Sequence, residues 1–211
     1  FNEWLAIRKT VKLKTEAVFV NKNGNRMKEN DIQKYTKILK EDFGNMCGYC
    51  GKDFNIIKCP YQKDHLIPED IAKKVGRLDL LTDYNNLVYS CRVCNRNKWN
   101  NWPFDNVDKI HDDKVGFVDP ATDEFDEHMM RDETGRIVPK TQVGNYMYKI
   151  FNFSNRLTGI WWKLSVISKE INEIDSILEK EETVDGLKQY WRLHRQFDSF
   201  IESLKEANES I

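Results

Sequence analysis

Two Cys-x-x-Cys pairs constrain this chain more than any other feature of its 211 residues. Cys47 and Cys50 form the first pair, and Cys91 and Cys94 form the second, 40 residues further on. Two thiol pairs at this spacing are typical of structural zinc sites, in which four thiolates surround one ion. The sequence therefore predicts a zinc site that joins two distant parts of the chain. Four buried thiols that bind no metal are the alternative.

The remaining composition favours an intracellular globular protein. Apolar residues make up 40% of the chain, and no apolar run approaches the length of a membrane helix. The first residues lack the apolar block of a signal peptide, so we expect a cytoplasmic protein whose cysteines bind zinc instead of forming disulfides. A fifth cysteine, Cys59, is interpreted as a small buried residue.

Charge is distributed unevenly along the chain, although the formal net charge is −1. Residues 1–100 are basic, whereas residues 101–135 hold 3 basic and 11 acidic side chains. The basic half is suited to a phosphate backbone, so nucleic acid is an expected partner. The acidic stretch is interpreted as a solvated loop, with a metal site or a guard against non-specific binding as the alternatives.

Periodicity divides the chain into four segments. Helical spacing predicts a helix from Asn30 to Phe43, and short strands are predicted at 54–59, before Pro68, at 86–90 and in the GRIVP run. A strand at AVFV and a turn at Asn23-Gly24 are also expected. The predicted segments are a lead-in at 1–46, a site-bearing core at 47–100, an acidic connector at 101–140 and a helical hairpin at 141–211.

The hairpin prediction depends on two apolar stripes. The first runs from Leu157 to Leu178 in steps of three and four, and the second runs from Leu187 to Leu204. A break at TVDG separates them, which predicts two antiparallel helices. Such helices can pack internally, dimerise or dock on a partner protein, and the sequence leaves these options open.

Polar residues inside the cysteine frame are suited to phosphodiester hydrolysis. His65 has the intrinsic pKa of a general base, and Asp64 precedes it. Asn86 begins the strand predicted at 86–90, and Asn95 follows the last cysteine, where its oxygen could bind Mg²⁺. Each residue alone has an ordinary structural explanation, so the prediction depends on their joint placement.

The runs KDHLIP, NNLV and SCRVCNRNK, framed by CGYC, resemble the HNH endonuclease family in its four-cysteine zinc form. The resemblance implies an α+β, mostly helical protein with a ββα-metal core. It implies that His65 is the general base, that Asn86 orients it, and that Asp64 and Asn95 bind a catalytic Mg²⁺ or Mn²⁺. Asn95 stands where the family's last histidine is expected, which makes this an H-N-N variant.

The resemblance also implies further roles and partners. Three basic residues fall where they could contact DNA phosphates: Arg92, Arg96 and Lys98. Similar nucleases occur in bacterial phage defence, often beside an ATPase. His111 and His128 lie in the acidic connector and are given no role. The alternative function is a non-catalytic zinc module that binds nucleic acid or a partner protein.

Overall fold

The computed structural model of the chain describes residues 35–207. This range is a mixture of α and β structure, about half of it helical, with two small antiparallel sheets. The fold class predicted from the sequence is confirmed at that level. The strand at AVFV, the turn at Asn23-Gly24 and the Asn30 cap lie outside the described residues.

The first sheet is formed by two strands in the long interval between the cysteine pairs, and the second strand ends at Cys91. In β1 (Tyr61–His65) and β2 (Leu87–Cys91), which pair antiparallel, Tyr61 lies opposite Cys91 and His65 lies opposite Leu87. Helix α3 (Arg92–Lys98) begins directly after β2, so the second cysteine pair spans the strand–helix junction. The elements of this half are α1 (Tyr35–Asp42), β1 (Tyr61–His65), α2 (Glu69–Lys74), 3-10 turns (Leu78–Leu81 and Tyr84–Asn86), β2 (Leu87–Cys91) and α3 (Arg92–Lys98).

The strand predicted at 54–59 is wrong. Asp53 makes an isolated bridge to Met46, and the chain then turns instead of extending. The Asp53 carboxylate accepts a hydrogen bond from the Asn55 backbone N–H at 2.8 Å, and the Asp53 carbonyl accepts one from Ile57. Aspartate stabilises turns by bonding to the backbone two residues ahead, and here that local bond replaces strand pairing.

The acidic connector contains more regular structure than its sequence indicates. It forms α4 (Glu124–His128) and the antiparallel pair β3 (Met129–Arg131) and β4 (Ile137–Pro139), and this last strand includes part of the predicted GRIVP strand. Gly135, at the turn between these strands, has a φ of 83°. A Cβ atom there would lie 2.3 Å from the Trp162 ring, so the turn packs directly on the later helix that spans Thr158–Leu178.

Three helices complete the chain: α5 (Gln142–Ile150), α6 (Thr158–Leu178) and α7 (Val184–Glu206). Thr141 and Thr183 cap α5 and α7 with hydroxyl oxygens that accept backbone N–H bonds. The Lys163 ammonium lies over the Phe200 ring, and Gly186 packs beside Leu178. These contacts run in opposite directions along the two helices, so α6 and α7 form the antiparallel hairpin.

A continuous apolar core joins the two halves of the described chain. It extends from Tyr35 in α1 through the four cysteines and Phe117 to Trp161 in α6 and Leu204 in α7. The four segments predicted from the sequence therefore contribute side chains to one core. Within residues 35–207, none of the helices has the length and apolarity needed to span a bilayer.

Arg131 is the buried polar side chain that ties these parts together. Its guanidinium donates to the carbonyl oxygens of Gly135 at 2.6 Å, Thr158 at 3.2 Å and Cys50 at 3.1 Å. Those carbonyls belong to the β3–β4 turn, the start of α6 and the first cysteine pair. One side chain therefore satisfies three backbone acceptors that water reaches poorly.

We expect Arg131→Met to lower the free energy of unfolding by about 2–4 kcal/mol, because buried carbonyl groups lose charged donors. Chemical denaturation followed by circular dichroism measures this change. The matched control is Arg136→Met, an exposed arginine on the same hairpin. Equal stability of the two variants would contradict the role given to Arg131.

Candidate active site

The four cysteines meet in one buried cluster. Their Sγ atoms all lie within 4.8 Å of one another, and Cys50 Sγ and Cys91 Sγ are 3.9 Å apart. Four sulfur ligands at the usual zinc–sulfur distance of about 2.3 Å would lie about 3.8 Å from each other in a tetrahedron. The donor type and the spacing both fit a closed, structural zinc site.

Local hydrogen bonds shape both cysteine pairs for this role. The Cys91 N–H donates to Cys47 Sγ at 3.3 Å, and the Cys94 N–H donates to Cys91 Sγ at 3.4 Å. At the first pair, the Gly51 N–H donates to the Cys47 carbonyl, and Gly51 has a φ of 67°. This left-handed conformation favours glycine and lets the chain reverse within the pair.

Arg156 caps the sulfur cluster from the C-terminal half of the chain. Its guanidinium lies 3.0 Å from Cys94 Sγ and 3.6 Å from the Sγ atoms of Cys50 and Cys91. Burial would by itself lower the pKa of Arg156, but the neighbouring sulfur charges outweigh burial and raise it. Four thiolates around Zn²⁺ carry two net negative charges, and a buried guanidinium offsets one of them.

His65, the expected general base, lies at the end of β1, and each of its ring nitrogens contacts an oxygen atom. Its Nε2 is 3.1 Å from the Leu81 carbonyl oxygen, and its Nδ1 is 3.3 Å from Glu69 Oε1. A carbonyl oxygen can only accept, so Nε2 carries the proton of this bond. Nδ1 is then the nitrogen available for proton exchange, and it faces a carboxylate whose side chain is 41% exposed.

Asn86 fixes the backbone around His65. Its Oδ1 accepts from the Ile67 N–H at 2.8 Å, and its Nδ2 donates to the carbonyls of Ile67 and Leu80, each at 3.1 Å. These contacts join the segment after β1 to the segment that provides the Leu81 carbonyl. Asn86 therefore contacts the backbone on both sides of the imidazole.

Asp64 faces the opposite side of β1 from His65, as expected for neighbours in a regular strand. Asp64 Oδ2 accepts from the Tyr49 hydroxyl at 2.6 Å, and the Lys98 ammonium lies 3.3 Å from Oδ1 and 3.2 Å from Oδ2. Lys98 also donates to the His65 carbonyl at 2.7 Å. The carboxylate is buried against α3 with a lysine as its counter-ion.

Burial affects the groups around Asp64 in opposite directions. It lowers the pKa of Lys98, although the Asp64 charge acts to raise it. Burial, followed by the Asp64 charge, raises the pKa of Tyr49 well above its ordinary value. Tyr49 therefore stays protonated and donates its hydrogen bond to the carboxylate.

The other expected site residues lie on α3. Asn95 donates from Nδ2 to Gln62 Oε1 at 2.8 Å, so it shares the β1–α3 interface with Asp64. Arg92 and Arg96, four residues apart, are exposed, whereas Lys98 is fully buried. Of the three basic residues expected to contact phosphate, two are accessible and the third is the partner of Asp64.

Sequence reasoning missed Glu69, the pairing of Lys98 with Asp64, and Arg156. Glu69 follows His65 by four residues, which is a weak local signal once α2 is recognised. Lys98 follows Cys94 by one helical turn, and this spacing turns it inward with that cysteine. Arg156 lies 62 residues after Cys94, and no pattern in the sequence connects them.

We expect Arg156→Met to accelerate the release of zinc to a chelator by roughly tenfold or more, because residues that contact metal ligands typically change affinity 10- to 100-fold. A colorimetric chelator assay measures the release rate. Arg195→Met, an exposed arginine on α7, is the matched control. Release at the same rate from both variants would show that Arg156 does not stabilise the metal site.

Comparison with known proteins agrees with this geometry. Residues 47–101 match the family model described as HNH endonuclease. The chain is 26% identical over 169 residues to the Septu protein PtuB of Bacillus mycoides (strain KBAB4), an alignment that covers 71% of this chain and 54% of that protein. The chain thus spans about half the length of this curated relative. No solved structure gave a significant match.

Residues 47–101 contain the two cysteine pairs, both strands of the first sheet and α3. This segment is a domain of the HNH endonuclease family.

Proposed function

We propose that this chain is a metal-dependent HNH endonuclease that hydrolyses DNA phosphodiester bonds. The observation that carries the proposal is the setting of His65, which lies within the family domain and bonds through Nε2 to a backbone carbonyl. That bond leaves Nδ1 as the nitrogen that can take a proton. The pairing of β1 with β2 and the helix that follows support the ββα arrangement expected for such a core.

In this proposal, His65 Nδ1 accepts a proton from the water that attacks the phosphorus atom. An imidazole suits this step because its intrinsic pKa lies near neutral pH. Glu69 Oε1, 3.3 Å from Nδ1, would stabilise the positive charge that forms on the ring. Asn86 is a positioning residue, because it holds the Leu80–Leu81 backbone against which the ring is oriented.

Asp64 and Asn95 are the proposed ligands of a catalytic Mg²⁺ or Mn²⁺. Their oxygen donors are of the type that these ions prefer, and a bound divalent cation would neutralise charge on the scissile phosphate. Both Asp64 oxygens, however, contact the Lys98 ammonium in the present arrangement. A cation can therefore bind at Asp64 only when Lys98 moves away from it. For that cation to act on the same phosphate as His65, the end of β1 must also rearrange, because the two side chains face opposite sides of the strand.

Arg92 and Arg96 are the proposed phosphate contacts. They lie one helical turn apart on α3, both exposed, and they follow the strand that pairs with β1. Guanidinium groups bind phosphate oxygens through paired hydrogen bonds, so these two side chains could hold the DNA backbone along α3.

The pairing of Lys98 with Asp64 also favours a second candidate function. A carboxylate that already has a buried counter-ion does not need a metal, as in a zinc module that binds nucleic acid without cutting it. The two candidates differ in one measurable property, which is cleavage that depends on both a divalent cation and His65.

We expect the purified chain to nick or cut plasmid DNA with Mg²⁺ or Mn²⁺, and His65→Ala to lower the rate by roughly 10²- to 10⁴-fold, the usual contribution of a general base. The loss of supercoiled plasmid on a gel, across a panel of metals, measures this. The control is His194→Ala, an imidazole on α7. DNA binding without cleavage under every metal condition would favour the non-catalytic module instead.

We further propose a role in bacterial defence against phage, beside a partner protein such as an ATPase. The motif resemblance and the similarity to a Septu protein PtuB support this role. The proposed docking surface is the far end of the helical hairpin, where Ile177, Val184 and Trp191 are 62%, 68% and 63% exposed. Val184 and Trp191 line one groove on this end of the hairpin, and neighbouring exposed apolar side chains are typical of interaction surfaces.

We expect Trp191→Ser to weaken association through the hairpin, because a large exposed aromatic side chain is the kind of residue that anchors an interface. Light scattering after size exclusion, with the chain alone and with its partner protein, measures the assembled mass. Leu78→Ser, which changes an exposed leucine outside the hairpin, is the control. Assemblies of unchanged mass and affinity with Trp191→Ser would exclude this end of the hairpin as the interface.

A further inference from the structure

Three side chains of metal-binding types meet in the acidic connector, as a group separate from the four cysteines. His111 comes from a loop closed by a bridge to Gly116, while Glu124 and His128 are the first and last residues of α4. Glu124 Oε1 lies 2.9 Å from His111 Nε2 and 3.8 Å from His128 Nε2. One ligand atom from each residue lies within 4.8 Å of the other two.

The chemistry of this group suits a divalent transition metal. Two imidazole nitrogens and one carboxylate oxygen form a ligand set used by zinc sites that keep one coordination position open. Ligand atoms at about 2.0–2.1 Å from zinc would be about 3.4 Å apart in a tetrahedron. The two distances from Glu124 Oε1 lie on either side of that value, so small side-chain movements would complete the site.

Neighbouring groups contact the other nitrogen of both rings. His128 Nδ1 is 2.7 Å from the Thr141 hydroxyl, whereas His111 Nδ1 accepts a hydrogen bond from the Asp113 N–H at 3.3 Å and lies 3.6 Å from Asp113 Oδ1. If each Nε2 bound a metal, each Nδ1 would carry a proton; that of His128 would face the Thr141 oxygen, and that of His111 would exchange its bond to the Asp113 N–H for one to the nearby Asp113 carboxylate. Metal-binding histidines are commonly held in this way, because the second bond fixes the ring and the tautomer.

The surroundings favour the entry of a cation. The two imidazoles are largely buried and the Glu124 side chain is 43% exposed, so the group is both ordered and accessible. Residues 101–135 hold 11 acidic and 3 basic side chains, which attracts positive ions to this part of the protein.

We propose that His111, Glu124 and His128 form a second metal site that binds Zn²⁺, separate from the four-cysteine site and from any catalytic cation. A bound ion would join the 111–116 loop to α4, two parts of the connector that are 13 residues apart at His111 and Glu124. This site does not depend on nuclease activity, so it stands or fails apart from the proposed function.

The test is the zinc stoichiometry of the purified full chain after equilibration with Zn²⁺ and removal of loosely bound ion. Mass spectrometry of the metal content should give two zinc ions per chain for the wild type and for the control His194→Ala. It should give one for His111→Ala/His128→Ala and one for Glu124→Gln, which preserves the shape of the side chain.

Substitution with Co²⁺ distinguishes loss of the site from loss of the fold. Cobalt bound to four thiolates gives intense charge-transfer bands, whereas cobalt bound to nitrogen and oxygen does not. The variants should keep the cobalt–thiolate bands at full intensity and should lose only the second equivalent of bound Co²⁺. One zinc ion in the wild type, or a second zinc ion retained by Glu124→Gln and by the double variant, would overturn the proposal.

Discussion

The contact between Arg156 and the sulfur cluster supports the rest of this structure. The cysteines bring together two segments that are 40 residues apart, and α3 and the β1–β2 sheet are placed by that junction. Four sulfur atoms in a buried cluster concentrate negative charge, which is unfavourable without a partner. Arg156 provides the opposite charge from the segment before α6, and Arg131 bonds to the Cys50 carbonyl from β3. The helical half therefore provides the positive charge that balances the negative charge of the cysteine half.

The candidate site shows how backbone atoms can prepare a side chain for chemistry. The Leu81 carbonyl decides which nitrogen of His65 carries the proton, and Asn86 holds the backbone that presents this carbonyl. On the other face of β1, Lys98 bonds to both Asp64 and the His65 carbonyl. A movement of Lys98 would thus change the charge around Asp64 and the backbone bond of His65 together, which links the two faces of the strand.

Much of this arrangement follows from local sequence patterns, and the remainder depends on long-range contacts. The cysteine spacing predicts the sulfur cluster, and alternating three- and four-residue steps predict the α6–α7 hairpin. The strand expected at 54–59 fails because the Asp53 side chain favours a turn that the apolar run does not reveal. Lys98 looks like a surface cation in the sequence, but its helical position turns it into the core. Strand geometry explains why Asp64 and His65 face opposite sides of β1. The contacts of Arg156 depend on a fold that brings together residues 62 positions apart, and no sequence pattern indicates them.

The continuous apolar core that joins the two halves of the described chain has a practical meaning for how this protein is divided. The family match ends at residue 101, but the side chains that neutralise and cover the cysteine cluster come from residues 131 to 161. A fragment limited to residues 47–101 would lack Phe117, so the core surface that packs on Phe117 would be exposed to water. It would also lack Arg156, whose guanidinium contacts the sulfur cluster. The segment that matches the family is therefore shorter than the unit that packs as one core. The extent of that core, and not the extent of the motif, sets the length of chain needed for folding.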